Sequence, residues 1–247
     1  MPTFTTPAPI SAAVDIIFGD ITVRASDRAD TVVEVRPVDP NWDLDVKAAA
    51  EVVVDFSHGR LQVKHPKLRS VFSKRYGAVD VLIELPAGSD LQGYTAKGTY
   101  VVEGRVGACE LKTANGDIRV GAVTGDFRAK SATGHITVGT AGAEVHARTA
   151  NGDIRVGVLG TGTADLYTAT GEIAIGVPAG TTADLDARAS IGRIFDNQHT
   201  DATGTDVTGT DTAGTETTDT TDTTRTVDRT VTVRARTHGG NITVSPV

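Results

Sequence analysis

Asp117, His135, Asp153 and Glu172 recur at nearly one interval, and Arg119 and Arg155 follow the two aspartates by two residues. Such spacing becomes chemistry if the fold brings the four onto one surface. Carboxylates with an arginine beside them can hold Ca²⁺ or grip an acidic sugar, and a β-repeat enzyme acting on acidic polysaccharide would use a face of this kind. A plainer account is that polar residues follow a turn for solubility, with His135 separating two aspartates that would otherwise repel. Asp117, Arg119, His135, Asp153, Arg155 and Glu172 are therefore the first candidate binding surface, with catalysis along it as the alternative.

A second candidate is the basic stretch 64–77, which holds Lys64, His65, Lys67, Arg69, Lys74 and Arg75 around Phe72. It could grip a phosphate, an acidic peptide or another anion, or attract the acidic stretch further along the chain; such runs also serve as solvated loops. Asp39, Asn41, Asp43 and Asp45 imitate the start of a calcium loop, but Leu44 stands where the loop needs Gly and Ala50 where it needs Glu. A short helix over 43–50 with Asp43 as its N-cap is the better reading. The single cysteine, Cys109, allows no internal disulfide and no thiolate cluster, and it falls in a slot otherwise filled by apolar residues. His58, His65, His146, His199 and His238 show no metal-ligand spacing, and no phosphate loop, dinucleotide fingerprint, G-x-S-x-G or H-E-x-x-H is present. No metal site and no cofactor are expected.

The elements that position these residues follow from a repeated phrase. TANGDIRVG occupies 113–121 and 149–157, and SATGHITVG occupies 131–139, so the unit returns every 18 residues. With the phrase glycine as position 0, Gly98, Gly116, Gly134, Gly152, Gly171 and Gly192 align, and Gly19, Gly59 and Gly240 join them across longer inserts. Position +2 is then Ile, Leu or Tyr throughout, and position +4 is Val or Ile except at Asp196. Position −7 is apolar, from Ala12 and Val52 through Cys109 and Phe127 to Val233. Apolar residues two apart on both sides of the glycine predict strand, tight turn, strand, with one face buried. The Asn-Gly pairs at 115–116 and 151–152 reinforce the turns, since both residue types tolerate positive φ.

Two all-β architectures share this local pattern. In an antiparallel β-meander each unit is a hairpin, which leaves a wide apolar sheet face with little helix to cover it. In a β-solenoid of about 18-residue coils the two strand sets bury their apolar faces against each other. Position −3, with Thr95, Thr113, Ser131, Thr149, Thr168 and Thr237, would stack as a hydroxyl ladder, which favours the solenoid.

Residues 1–90 read as a β-rich cap with longer coils and strands near 12–25, 31–36, 50–56, 60–65 and 79–86. Residues 91–196 are the regular repeats, 197–226 a Thr/Asp-rich insertion too poor in apolar groups to order itself, and 227–247 a terminal coil. Residues 196–226 carry seven acidic residues and one Arg, so most of the net charge of −7 lies there and the body is near neutral. That balance argues against a general nucleic-acid or membrane binder. No basic, apolar leader opens the chain and no run approaches the ~20 apolar residues of a membrane span. A cytoplasmic location is the default expectation, with the cell surface left open.

The repeated phrase, the strand VDVLIELPAG and the opening PISAAVDIIFGDITVRASDRADTVVEVRP resemble actinobacterial members of the "putative adhesin" family of β-strand-repeat proteins. The resemblance covers nearly the whole chain outside 197–226. It implies a β-helix-like fold and a binding or surface role, and it carries over no catalytic residues. The expected function is a non-enzymatic binding or scaffold module for a protein or glycan partner, with self-association through exposed ends left open. The alternative is a β-helix enzyme or lectin-like module acting on acidic glycans.

Overall fold

The computed structural model describes residues 1–65, 77–197 and 229–247. Most of them lie in strands of an eleven-stranded and a ten-stranded sheet, and one helix, Asp43–Glu51, joins two of the strands. Alternation drives each strand. In Cys109–Asn115, Cys109, Leu111 and Thr113 are buried while Lys112 is exposed, and in Ile118–Val123, Ile118 and Val120 are buried while Arg119 is exposed. Except at Gly59, the strand before each phrase glycine enters the ten-stranded sheet and the strand after it enters the eleven-stranded one. Within the regular repeats neighbouring strands of each sheet are parallel and one repeat apart, with Cys109 level with Phe127 and Ile118 level with Ile136. At one end, by contrast, Thr3–Thr5, Asp30–Pro37 and Val79–Pro86 pair antiparallel in succession, as do Val53–Ser57 and Arg60–Lys64. Both sheets feed one continuous core of Ile, Val, Leu and Ala. Each fully buried aliphatic side chain contributes about 1.5–3 kcal/mol, so a thin core of small residues suffices when the same layer recurs on every rung.

The phrase turns are corners between sheets and not hairpins. Asn115 and Asn151 keep ordinary backbone angles, and only the glycine departs, with φ +149° at Gly116 and +144° at Gly152. A Cβ on Gly134 would lie 2.0 Å from the carbonyl oxygen of Gly116, so successive turns approach too closely for any side chain there. The buried hydroxyls of position −3 tie this stack together. They do not bond one another; each donates to a backbone carbonyl one rung away, as Thr113 does to Gly98 at 3.2 Å and Thr149 to Gly134 at 3.1 Å. The carbonyl is a glycine's in every case but Thr95, which donates to Ile17.

Both ends of the sheets depart from chain order. Ser11–Phe18 and Ile21–Ser26, a span split at Gly19, lie between the rung of Asp90–Lys97 and Tyr100–Val106 and an outer rung made by Arg60–Lys64 and Val79–Pro86. Leu61 is level with Ala12 and not with Ile21, so the Gly59 phrase does not belong with the other phrases. His58 (φ 51°) and Gly59 (φ 72°) instead form a two-residue hairpin turn joining Val53–Ser57 to Arg60–Lys64. At the other end, Arg229–Gly239 and Ile242–Pro246 insert between the rung of Gly162–Thr170 and Ile173–Val177 and the rung of Thr181–Ile191 and Ile194–Asp196. The last coil in sequence is thus second to last in space.

The helix starts at Asp43, so Trp42 takes the N-cap place and makes no side-chain cap bond. Asp45 is buried and accepts the backbone N–H groups of Asp39 at 3.0 Å and Ala78 at 2.8 Å, which explains the run of acidic residues without a cation. The helix continues through Glu51 and displaces the expected strand at 50–56 to Val53–Ser57. No helix among the described residues is long and apolar enough to cross a membrane.

Candidate binding surface

The position just past each turn forms a row on the eleven-stranded side, and its polar atoms are engaged along the row. Asp117 accepts the backbone N–H of His135 at 2.9 Å, His135 accepts that of Asp153 through Nδ1 at 3.0 Å, and Asp153 accepts that of Glu172 at 2.9 Å. Asp20 does the same for Thr99 and Asn241 for Arg193. The second carboxylate oxygens face the arginines of their own strands, Asp117 to Arg119 at 2.6 Å and Asp153 to Arg155 at 3.3 Å. Glu172 accepts from the Asn241 side chain at 3.2 Å. The structure thus brings all six residues of the first candidate together, and each side chain bonds within the row.

Lys64 is exposed at the end of its strand, next in register to Asp15. Lys67, Arg69, Lys74 and Arg75 lie outside the described residues, as does nearly all of 197–226. Cys109 is buried among apolar residues, which pushes its thiol up to about 12, so it is protonated at neutral pH. Among the described residues no group of three or more His, Cys, Asp or Glu side chains is placed to hold a metal ion.

A row on the opposite sheet escaped the sequence reading. Four residues before the phrase glycines, Lys112, Lys130 and Arg148 sit level on three consecutive strands. Tyr94 and Tyr167 bracket them, and Arg236 and Arg188 continue the row. The two tyrosines are 51% and 43% exposed. Glu110 pairs with Lys112 at 2.6 Å and Asp165 with Arg148 at 3.1 Å, while Lys130 makes no ion pair among the described residues. The in-face neighbour of Lys130 on its own strand is Arg128, which Asp126 holds at 3.3 Å. Lys130 therefore has cations on three sides.

Beside this row lie two shallow hollows that share the Glu110–Lys112 pair. One, of about 350 Å³, is bounded by Asp15, Gln62, Lys64, Gln92, Tyr94 and Lys112. The other, of about 140 Å³, lies among Lys112, Arg128, Lys130, His146 and Arg148. The same glycine alignment contained the signal. Charged residues alternating along a strand resemble ordinary solvated positions until they are compared rung by rung.

No family model matches the chain, and no curated protein matches it in sequence. Among solved structures it resembles a "putative adhesin" from Bacteroides fragilis at 10% identity and a TM-score of 0.50, covering 100% of this chain and 95% of that one. A "putative cell adhesion protein" from Clostridium sporogenes aligns at 11% identity and 0.40, covering 100% and 98%. A "putative lipid binding protein" from Parabacteroides distasonis aligns at 10% and 0.45, covering 100% and 95%. The Bacteroides likeness is one of fold.

Proposed function

We propose that the chain is a non-enzymatic binding module built as a β-solenoid, adhesin-like in role, whose sheet faces engage a protein or glycan partner. The observation that carries this reading is the parallel, in-register pairing of the repeat strands. Such pairing turns every outward sequence position into a straight row of side chains, which suits recognition of an extended ligand. The sequence resemblance to "putative adhesin" repeat proteins and the fold shared with the Bacteroides protein support it.

An enzyme working along the Asp117–Glu172 row is the weaker alternative. Its aspartates accept backbone N–H groups and face arginines of their own strands, an arrangement that serves the stack. The test is to immobilise the full chain, expose it to lysate and cell-wall extract, and identify what is retained. Any captured polymer is then incubated with the chain and sized. Capture without shortening is expected; shortening, or no capture, defeats the reading.

A further inference from the structure

We propose that the outer face of the ten-stranded sheet binds a linear anionic polysaccharide running across its strands. Lys112, Lys130 and Arg148 meet the acidic groups, and Tyr94 supports one sugar ring at the end of the row. This rests on the binding-module reading and gives it a site and a ligand class.

Charge is the first argument. Like charges level on adjacent strands repel; Glu110 offsets Lys112 and Asp165 offsets Arg148, but among the described residues no carboxylate offsets Lys130. Lys130 lies between Lys112 and Arg148 with Arg128 on its own strand, so the electrostatic demand for an anion is greatest there.

The shape of the charged zone selects a linear ligand. Strand spacing is ~4.8 Å, close to the length of one pyranose unit in an extended chain, so successive acidic sugars can meet successive rungs. Glu110 and Asp165, and beyond them Asp126 and Glu144, lie on one side of the row, and Ala114, Ala132 and Ala150 form a low strip on the other. A planar anionic membrane or a nucleic-acid duplex would press phosphates against those carboxylates, whereas a single strand of sugar can follow the cations and rest on the alanines.

The aromatic pattern separates sugar from single-stranded nucleic acid. Tyr94 and Tyr167 are four strands apart, or ~19 Å, too sparse for base-by-base stacking. Tyr94 instead shares its hollow with Gln62, Gln92, Asp15, Lys64 and the Glu110–Lys112 pair, a mixture of ring face, amides and charges of both signs that answers sugar hydroxyls and a carboxylate.

Calorimetric titration of the full chain with polygalacturonate and heparin-derived oligomers tests the proposal. Neutral glucan oligomers, phosphatidylserine vesicles and oligo-dT serve as comparisons. Wild type should bind at least one acidic oligosaccharide, more weakly as salt rises. The variant Lys112→Gln/Lys130→Gln/Arg148→Gln should lose about tenfold or more, equivalent to at least one decade in Kd. Tyr94→Ala should also weaken binding, and Arg119→Gln/Arg155→Gln on the other sheet should not. Lys130→Gln alone should lower affinity while leaving Tm unchanged or higher, a combination that a purely structural lysine would not give. Full affinity in the triple variant, stronger binding to vesicles or oligo-dT, or no binding of either acidic oligosaccharide overturns the site. Capture of another partner by the immobilised chain would leave the broader reading standing in each of those cases.

Discussion

Tyr100 occupies the slot that isoleucine fills on most other rungs, and it fits because Gly93 has no side chain. A Cβ on Gly93 would lie 2.7 Å from the tyrosine oxygen. That hydroxyl is buried without a partner among the described residues, and burial pushes its ionisation well above the ordinary tyrosine range. Leaving a buried hydroxyl unsatisfied costs about 1–3 kcal/mol, so Tyr100→Phe should raise stability in urea unfolding, and a clear loss would contradict this account. His135 illustrates the reverse case, since its Nδ1 serves the Asp153 N–H. His135→Asn should be nearly neutral, because Asn241 makes the same bond to Arg193, whereas His135→Leu should lose about 0.5–1.5 kcal/mol by the same measurement. Arg28 joins Asp30 at 2.8 Å and Glu84 at 2.6 Å, and its hydrogen bond to Asp30 holds that carboxyl below its ordinary value of 3.8. A depressed carboxyl stabilises the fold above its unfolded value and loses that contribution as pH falls through the folded one. The deficit of Arg28→Gln relative to wild type should therefore be full at neutral pH and shrink below 3.8, as followed by denaturation at a series of pH values.

At the level of elements, the glycine corner is the least replaceable feature. Gly134 combines φ +147° with a neighbouring carbonyl 2.0 Å from any added Cβ, so Gly134→Ala must both strain its backbone and push two turns apart. A loss of more than about 3 kcal/mol, or failure to fold, is expected from chemical denaturation; a loss below ~1 kcal/mol would mean that the turns do not stack this closely. The corner also shows what was legible in sequence. The glycine spacing and the apolar positions at −7, +2 and +4 located the strands of the regular repeats, because a strand with one buried face must alternate. The Asn-Gly pairs signal a tight turn and leave both architectures open, since local preference cannot tell a reversal within one sheet from a corner between two. Gly59 was misaligned for the same reason: it is a true hairpin glycine, and only its partner strand distinguishes it. At the candidate surfaces, residue types could be read but not their partners. The Asp117 row looked like a free polar face, and its bonds to backbone N–H groups depend on the rung above.

At the scale of the whole molecule, the described strands follow one another in the two sheets in an order that departs from chain order at both ends, and that departure has a mechanical consequence. In a repeat stack each rung is held mainly by its neighbours, so stability is lost locally when one rung fails. Arg229–Gly239 lies between Gly162–Thr170 and Thr181–Ile191, with Val233 level with Ala164 on one side and Leu185 on the other. The outermost rung is poorly buried by itself: Ile191, Ile194 and Phe195 are exposed, while Val233, Ile242 and Val244 one rung inward are fully buried. Val233→Asp places a carboxylate in the core between these rungs, which no nearby partner compensates. Hydrogen exchange should then show lost protection in 229–247 and also in 181–196, although the latter precedes the substitution by more than thirty residues. Strands Cys109–Asn115 and Ile118–Val123, several rungs away, should keep theirs. Uniform loss across the chain would mean that the stack unfolds as one unit. Loss confined to 229–247 would mean that the outer rung stands without the strand inserted beneath it, contrary to the pairing on which this order rests.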